Sequence, residues 1–159
     1  MILLTVGTQL PFDRLVKIVD DWAGKNPQVQ IFAQIASGRY IPKHMPYIEF
    51  LDEQHYMELF EQADVILAHA GMGSVISSLI SSKPVIVYPR KASLGEHRNE
   101  HQLATSRKLS ELKGCYIAYE PYELHSLLDQ LDSLKGGIIS PHANDDLLRT
   151  IDNFIAHNL

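Results

Sequence analysis

Gly71-Met72-Gly73-Ser74 stands between an apolar run, Val65-Ile66-Leu67-Ala68, and a stretch with helical spacing. Glycines let a backbone approach a ligand closely, and the first N–H groups of a helix have no intrahelical partner. Together with the helix dipole they attract a diphosphate, and Ser74 adds a hydroxyl donor. A plain strand-to-helix turn uses glycine too, so this motif alone leaves both readings open. Gly7-Thr8 forms a second glycine turn after the apolar run Ile2–Val6. Arg90-Lys91 follows a third apolar run and offers either a cation for phosphate or a solvated charge pair. Glu96-His97-Arg98-Asn99-Glu100-His101-Gln102 brings carboxylate, imidazole and amide groups suited to sugar hydroxyls, and Gln102 can both donate and accept.

Other readings of these motifs fit less well. A dinucleotide fingerprint needs a third glycine where Ile76 and Ser77 stand. No Lys-Ser or Lys-Thr pair follows the glycines, and no Gly-x-Ser-x-Gly elbow is present. His97-Arg98-Asn99-Glu100-His101 matches a His-x-x-Glu-His zinc peptidase pattern, but no third ligand is evident and the match falls at a helix start. No bound metal and no cofactor are therefore expected. His69, on a buried strand before the glycine turn, reads as a loop-bracing side chain rather than a catalyst.

These turns need elements to hold them. Apolar runs at 2–6, 29–33, 47–51, 65–68, 84–88 and 115–118 read as six strands. Helical spacing falls over 12–19, in a short segment around Met57–Ala63, and over 74–82, 101–112 and 121–134, with a last helix after Asn144. Strands alternating with helices imply an α/β fold, a doubly wound parallel sheet. In such a sheet, turns after the first and fourth strands straddle the point where strand order reverses, and ligands bind there. The loop from Lys91 to Asn99 is the longest polar insertion in this pattern.

The 159 residues suit one domain, 1–159, with one core. Hydrophobic content of 45% and charged content of 21% exclude disorder. A net charge of −5 argues against nucleic acid as a partner. Cys115 is the single cysteine, so no intrachain disulfide forms and no oxidising compartment is required. No apolar run is long enough to span a bilayer, and no basic residue precedes the apolar start. The expectation is a cytoplasmic protein that meets the inner face of a membrane only through a partner.

The segment Ala63–Gln102 resembles the donor-binding C-terminal half of GT-B glycosyltransferases related to MurG. The shared pattern is an Ala-Asp strand, His-Ala-Gly-x-Gly-Ser, a Lys-Pro strand and a later His-Gln. Val6-Gly7-Thr8 with Pro11-Phe12-Asp13-Arg14-Leu15-Val16 extends the likeness to stand-alone subunits of this family. These are the PssE-type subunits of exopolysaccharide synthesis and the soluble subunit of the dolichol-linked GlcNAc transferase. The likeness reaches about Gly114.

The resemblance implies a Rossmann-like single GT-B half-domain that binds a UDP-sugar. With a membrane-associated, acceptor-binding subunit it would transfer a hexose to a polyprenyl-diphosphate-linked acceptor in exopolysaccharide or capsule synthesis. By this likeness Gly71, Met72, Gly73 and Ser74 meet the diphosphate, His101 and Gln102 the sugar, and Gly7 and Thr8 line the cleft. Arg90 stands by as a phosphate cation. MurG-like relatives carry a glutamate for the ribose where Ser77 stands here; either Ser77 or Glu96 takes that part. The catalytic base would lie on the acceptor half. The alternative is a non-catalytic subunit that stabilises or enhances a partner transferase.

Overall fold

A computed structural model describes residues 1–137. Within them lie six parallel strands and five α-helices, a helix following every strand except β2. The strands are β1 (Ile2–Thr5), β2 (Ile31–Gln34), β3 (Tyr47–Ile48), β4 (Val65–Ala68), β5 (Val85–Val87) and β6 (Cys115–Ile117). The helices are α1 (Asp13–Lys25), α2 (Glu53–Gln62), α3 (Met72–Ile80), α4 (His101–Leu109) and α5 (Pro121–Leu128). Strand order is β3-β2-β1-β4-β5-β6, so the chain winds outward from β1 in one direction and from β4 in the other.

The central strands are apolar throughout because both faces are covered. Side chains alternate between two cores. Ile2, Leu4, Val65, Leu67 and Ile86 pack with Leu15, Val16 and Val19 of α1 and Leu124 of α5. Leu3, Ile66, Ala68, Val85 and Val87 pack on the other side with Phe60 of α2, Val75 and Leu79 of α3 and Leu109 of α4.

Several boundaries differ from the sequence expectation. The helix expected over 12–19 runs on through Gly24 to Lys25, because Trp22 and Ala23 still face the core. The third strand pairs only at Tyr47 and Ile48, both exposed at the sheet edge. Asp52 then caps α2 by accepting from the His55 N–H at 2.8 Å, which starts that helix at Glu53. The helix expected over 121–134 stops at Leu128, and a single 3-10 turn at Leu131–Ser133 replaces its last turn. The helix expected after Asn144 lies outside the described residues.

Candidate functional site

At the C-terminal ends of β1 and β4, where the winding direction reverses, the loops enclose a cleft of about 810 Å³. Val6, Gly7, Thr8, Gln9 and Leu10 line one side and His69, Ala70, Gly71 and Met72 another. Arg90, His97, Arg98, His101, Gln102 and Thr105 complete it. The two glycine turns and the polar loop, separated by up to about ninety residues in the chain, thus share one cavity.

Gly71 is the N-cap of α3, and no side chain caps this helix. The N–H groups of its first turn are left for a ligand, and no acidic residue in that turn opposes an anion. The Gly7 turn has φ +79°, a left-handed conformation that glycine adopts freely. It is held from below by buried Gln34, whose Nε2 donates to the Gly7 carbonyl at 3.0 Å. Gln34 Oε1 in turn accepts from the Thr5 hydroxyl at 2.9 Å.

His69 lies between the two turns. A Cβ on Gly7 would approach its ring to 2.8 Å, and one on Gly71 to 2.2 Å. Burial drives the His69 pKa down to about 4; the positive Arg90 adds to this and the Thr5 backbone opposes it. At neutral pH the ring is therefore uncharged. Its Nδ1 is buried without a hydrogen-bond partner among the described residues.

Arg90 is 2% exposed and is bound to its own protein. Its guanidinium donates to the carbonyls of Val6 at 2.6 Å, Leu10 at 2.7 Å and Pro11 at 2.5 Å. It also stacks on Phe12, 4.8 Å from the ring centroid. Burial lowers its pKa to about 10, with nearby Glu96 working against the shift, so the charge persists at pH 7. Arg90 thus ties the wall at residues 6–11 to the end of β5. Its donors are committed to carbonyls, and a direct phosphate grip is not the geometry present.

Glu96 likewise turns away from the cleft. Its carboxylate accepts from Arg14 Nε at 2.6 Å and Nη2 at 2.8 Å, and from the Lys91 N–H at 2.8 Å. This bidentate pair braces the 91–96 loop against α1. Gly73 and Ser74 sit farther along α3 and are not among the lining residues; Ser74 Oγ accepts a long 3.5 Å bond from Tyr56. Ser77 is exposed on α3, also outside the lining. Gly7, Thr8, Gly71, Met72, His101 and Gln102 do line the cleft, with Arg90 behind them.

The electrostatics of the lining differ from those of the whole chain. The net charge is −5, yet among the described residues no aspartate or glutamate lines the cleft, while Arg90 and Arg98 do. Such a lining favours an anionic ligand. His97 and His101 come with no third metal ligand: no group of three His, Cys, Asp or Glu among the described residues is placed to hold a metal ion.

The sequence pattern of the glycosyltransferase family 28 C-terminal domain matches residues 1–144. The chain belongs to this family. The family 28 domain is also 33% identical over 111 residues to the mouse UDP-N-acetylglucosamine transferase subunit ALG13, covering 61% of this chain and 9% of that protein's length. Among solved structures it is similar to the solution structure of ALG13, with a TM-score of 0.64 and 19% identity, covering 94% of this chain and 93% of that one. Acinetobacter baumannii MurG matches with a TM-score of 0.58 and 20% identity over 82% of this chain and 40% of that chain. These two likenesses show the shared Rossmann-like GT-B half-domain fold.

Sequence reasoning did not single out Arg14, Arg98 or Thr105. Arg14 is the partner of Glu96, but a helix position beside Leu15 and Val16 carries no sign of a contact made 82 residues away. Arg98 and Thr105 enter the cleft from the polar loop and from the next turn of α4. Helical spacing from Gln102 could have found Thr105, one turn on.

Proposed function

We propose that this chain is the UDP-sugar-binding subunit of a two-component glycosyltransferase. With a membrane-associated, acceptor-binding subunit it transfers a hexose to a polyprenyl-diphosphate-linked acceptor in exopolysaccharide or capsule synthesis. One observation carries this reading: the uncapped N-terminus of α3 and both glycine turns open into a single cleft that, among the described residues, no carboxylate lines. Backbone N–H groups there suit a diphosphate whose negative charge grows as the sugar departs. No metal is called for in this reading, because the helix dipole and the charges of Arg90 and Arg98 oppose that charge.

In the transfer an acceptor hydroxyl oxygen forms a bond to the anomeric carbon, the bond from that carbon to the diphosphate breaks, and UDP leaves. The hydroxyl proton must pass to a base. Among the described residues no carboxylate lines the cleft, which supports a base supplied by the partner subunit. The relative named as a transferase subunit supports the same division of labour. The chain would then be cytoplasmic and reach the membrane through that partner; no described helix is long and apolar enough to cross one.

Titration calorimetry of the full chain with UDP tests the proposal. UDP is expected to bind the isolated chain, and hexosyl transfer to a lipid-linked acceptor is expected only when the acceptor-binding subunit is co-expressed. Absence of UDP binding, with activity of the co-expressed pair insensitive to Gly73→Asp, would assign the chain instead to a stabilising role beside a partner that holds the donor itself.

A further inference from the structure

We infer that Arg14 and Glu96 are positioning residues for this cleft: neither lines it, yet together they fix the loop that carries His97 and Arg98 into it, and donor binding depends on both. This rests on the nucleotide-sugar reading above and adds to it two residues that act from outside the cleft. Between Lys91 and the start of α4 the chain makes one 3-10 turn, Ala92–Leu94, and is otherwise irregular. Among the described residues, the hydrogen bonds that tie residues 92–99 to anything outside 91–101 all pass through Glu96. Its carboxylate accepts from Arg14, and its carbonyl accepts from Arg90 Nη1 at 3.4 Å. The other bonds of this stretch are local, such as Ser93 N–H to Glu100 at 3.1 Å and Gly95 N–H to the Ala92 carbonyl at 2.9 Å. Gly95, just before the anchor, has φ +70° and open space where a Cβ would stand, so the left-handed backbone alone calls for glycine.

Arg14 is itself held in place. Its Nη1 donates to the Tyr88 hydroxyl at 2.6 Å and its Nη2 to the Pro89 carbonyl at 3.2 Å. The guanidinium also lies 4.6 Å from the Tyr88 ring centroid. Arg14 stands in the first turn of α1, where a cation opposes the helix dipole. The helix gains nothing from arginine there; the gain comes from Glu96, Tyr88 and Pro89. The pair with Glu96 is bidentate and part-buried, so it holds more firmly than a solvated ion pair. The planar fork fixes the direction of the carboxylate as well as its distance. The next two residues, His97 and Arg98, enter the cleft lining. Without this anchor a ligand would have to order the loop as it binds, and that ordering is subtracted from affinity.

Calorimetry of the full chain with UDP at one ionic strength, paired with amide hydrogen exchange, tests this. Arg14→Gln and Glu96→Gln are each expected to weaken UDP about tenfold, and the double variant no more than either alone. Arg14→Lys, which keeps the charge without the fork, should recover part of the loss. The loss should vanish in a background carrying His97→Gln and Arg98→Gln, where a well-placed loop has nothing left to offer the ligand. The amides of Lys91, Leu94, Gly95 and Glu96 are hydrogen-bonded in the wild type. Their exchange should speed up in Arg14→Gln while β1 and β4 keep their protection. Wild-type affinity in either single variant, an undiminished loss in the background lacking His97 and Arg98, or unchanged exchange over residues 91–96 would overturn the positioning role and leave the nucleotide-sugar reading standing. Protection lost throughout the sheet in Arg14→Gln would also overturn it, by assigning the pair to stability alone. Failure of the wild type to bind UDP removes the nucleotide-sugar reading and this role with it.

Discussion

A Cβ placed on Gly71 would lie 2.2 Å from His69 Nε2, and so the imidazole ring occupies the space that any side chain at position 71 would need. Gly71 has an ordinary φ of −90°, so sterics alone demand glycine there. Gly71→Ala is expected to lose about 1–3 kcal/mol of stability, the usual cost of overpacking. His69→Ala should itself be destabilising, yet the double variant should lose less than the sum of the two. Chemical denaturation of the four proteins measures the coupling, and strict additivity would contradict the steric account.

The same ring makes stability depend on pH. The His69 pKa falls from 6.5 to about 4 on folding, so the folded state favours the neutral form. Its contribution is whole above pH 6.5, the unfolded value, and is lost as pH falls toward 4. With about 1.4 kcal/mol per unit, the loss is about 3 kcal/mol. Urea midpoints of the wild type and His69→Gln, taken from pH 7 to pH 4, should converge on acidification. Parallel curves would mean that the ring titrates normally in the folded protein.

Gly73 separates stability from binding. A Cβ there meets nothing within 4 Å, and the residue lies in the first turn of α3. Gly73→Ala should therefore be tolerated or stabilise by up to about 1 kcal/mol. Gly73→Asp adds a negative charge near the helix N-terminus, favourable for the helix by about 0.3–1 kcal/mol. The same charge repels a diphosphate. A thermal melt together with a UDP titration should show Gly73→Asp with an unchanged or higher Tm and weakened binding.

Arg90→Lys tests a strut against a phosphate cation. Lysine keeps the charge but cannot reach the Val6, Leu10 and Pro11 carbonyls with one planar fork. The buried Val6 carbonyl left without its donor costs about 1–3 kcal/mol, and the part-buried Leu10 and Pro11 carbonyls less, before the loop relaxes. The expected outcome is a loss of about 2–4 kcal/mol in denaturation and faster proteolysis within residues 7–11. A variant of wild-type stability with weakened UDP binding would return Arg90 to the phosphate.

The sequence by itself determined the parallel α/β sheet, because a strand buried on both faces must be apolar at every position, as Val65–Ala68 is. It also marked Gly7, Gly71 and Gln102, since glycine turns after strands and a polar helix start are local signals. Only the tertiary structure decided that Arg90 clamps a loop, that Glu96 serves Arg14, and that Gln102 Oε1 accepts from the Arg90 N–H. Hydrogen bonds across some 80 residues leave no periodicity in a chain. A charged side chain written next to a glycine turn looks the same whether its donors face a ligand or a backbone carbonyl, and only the folded path of the main chain tells the two apart.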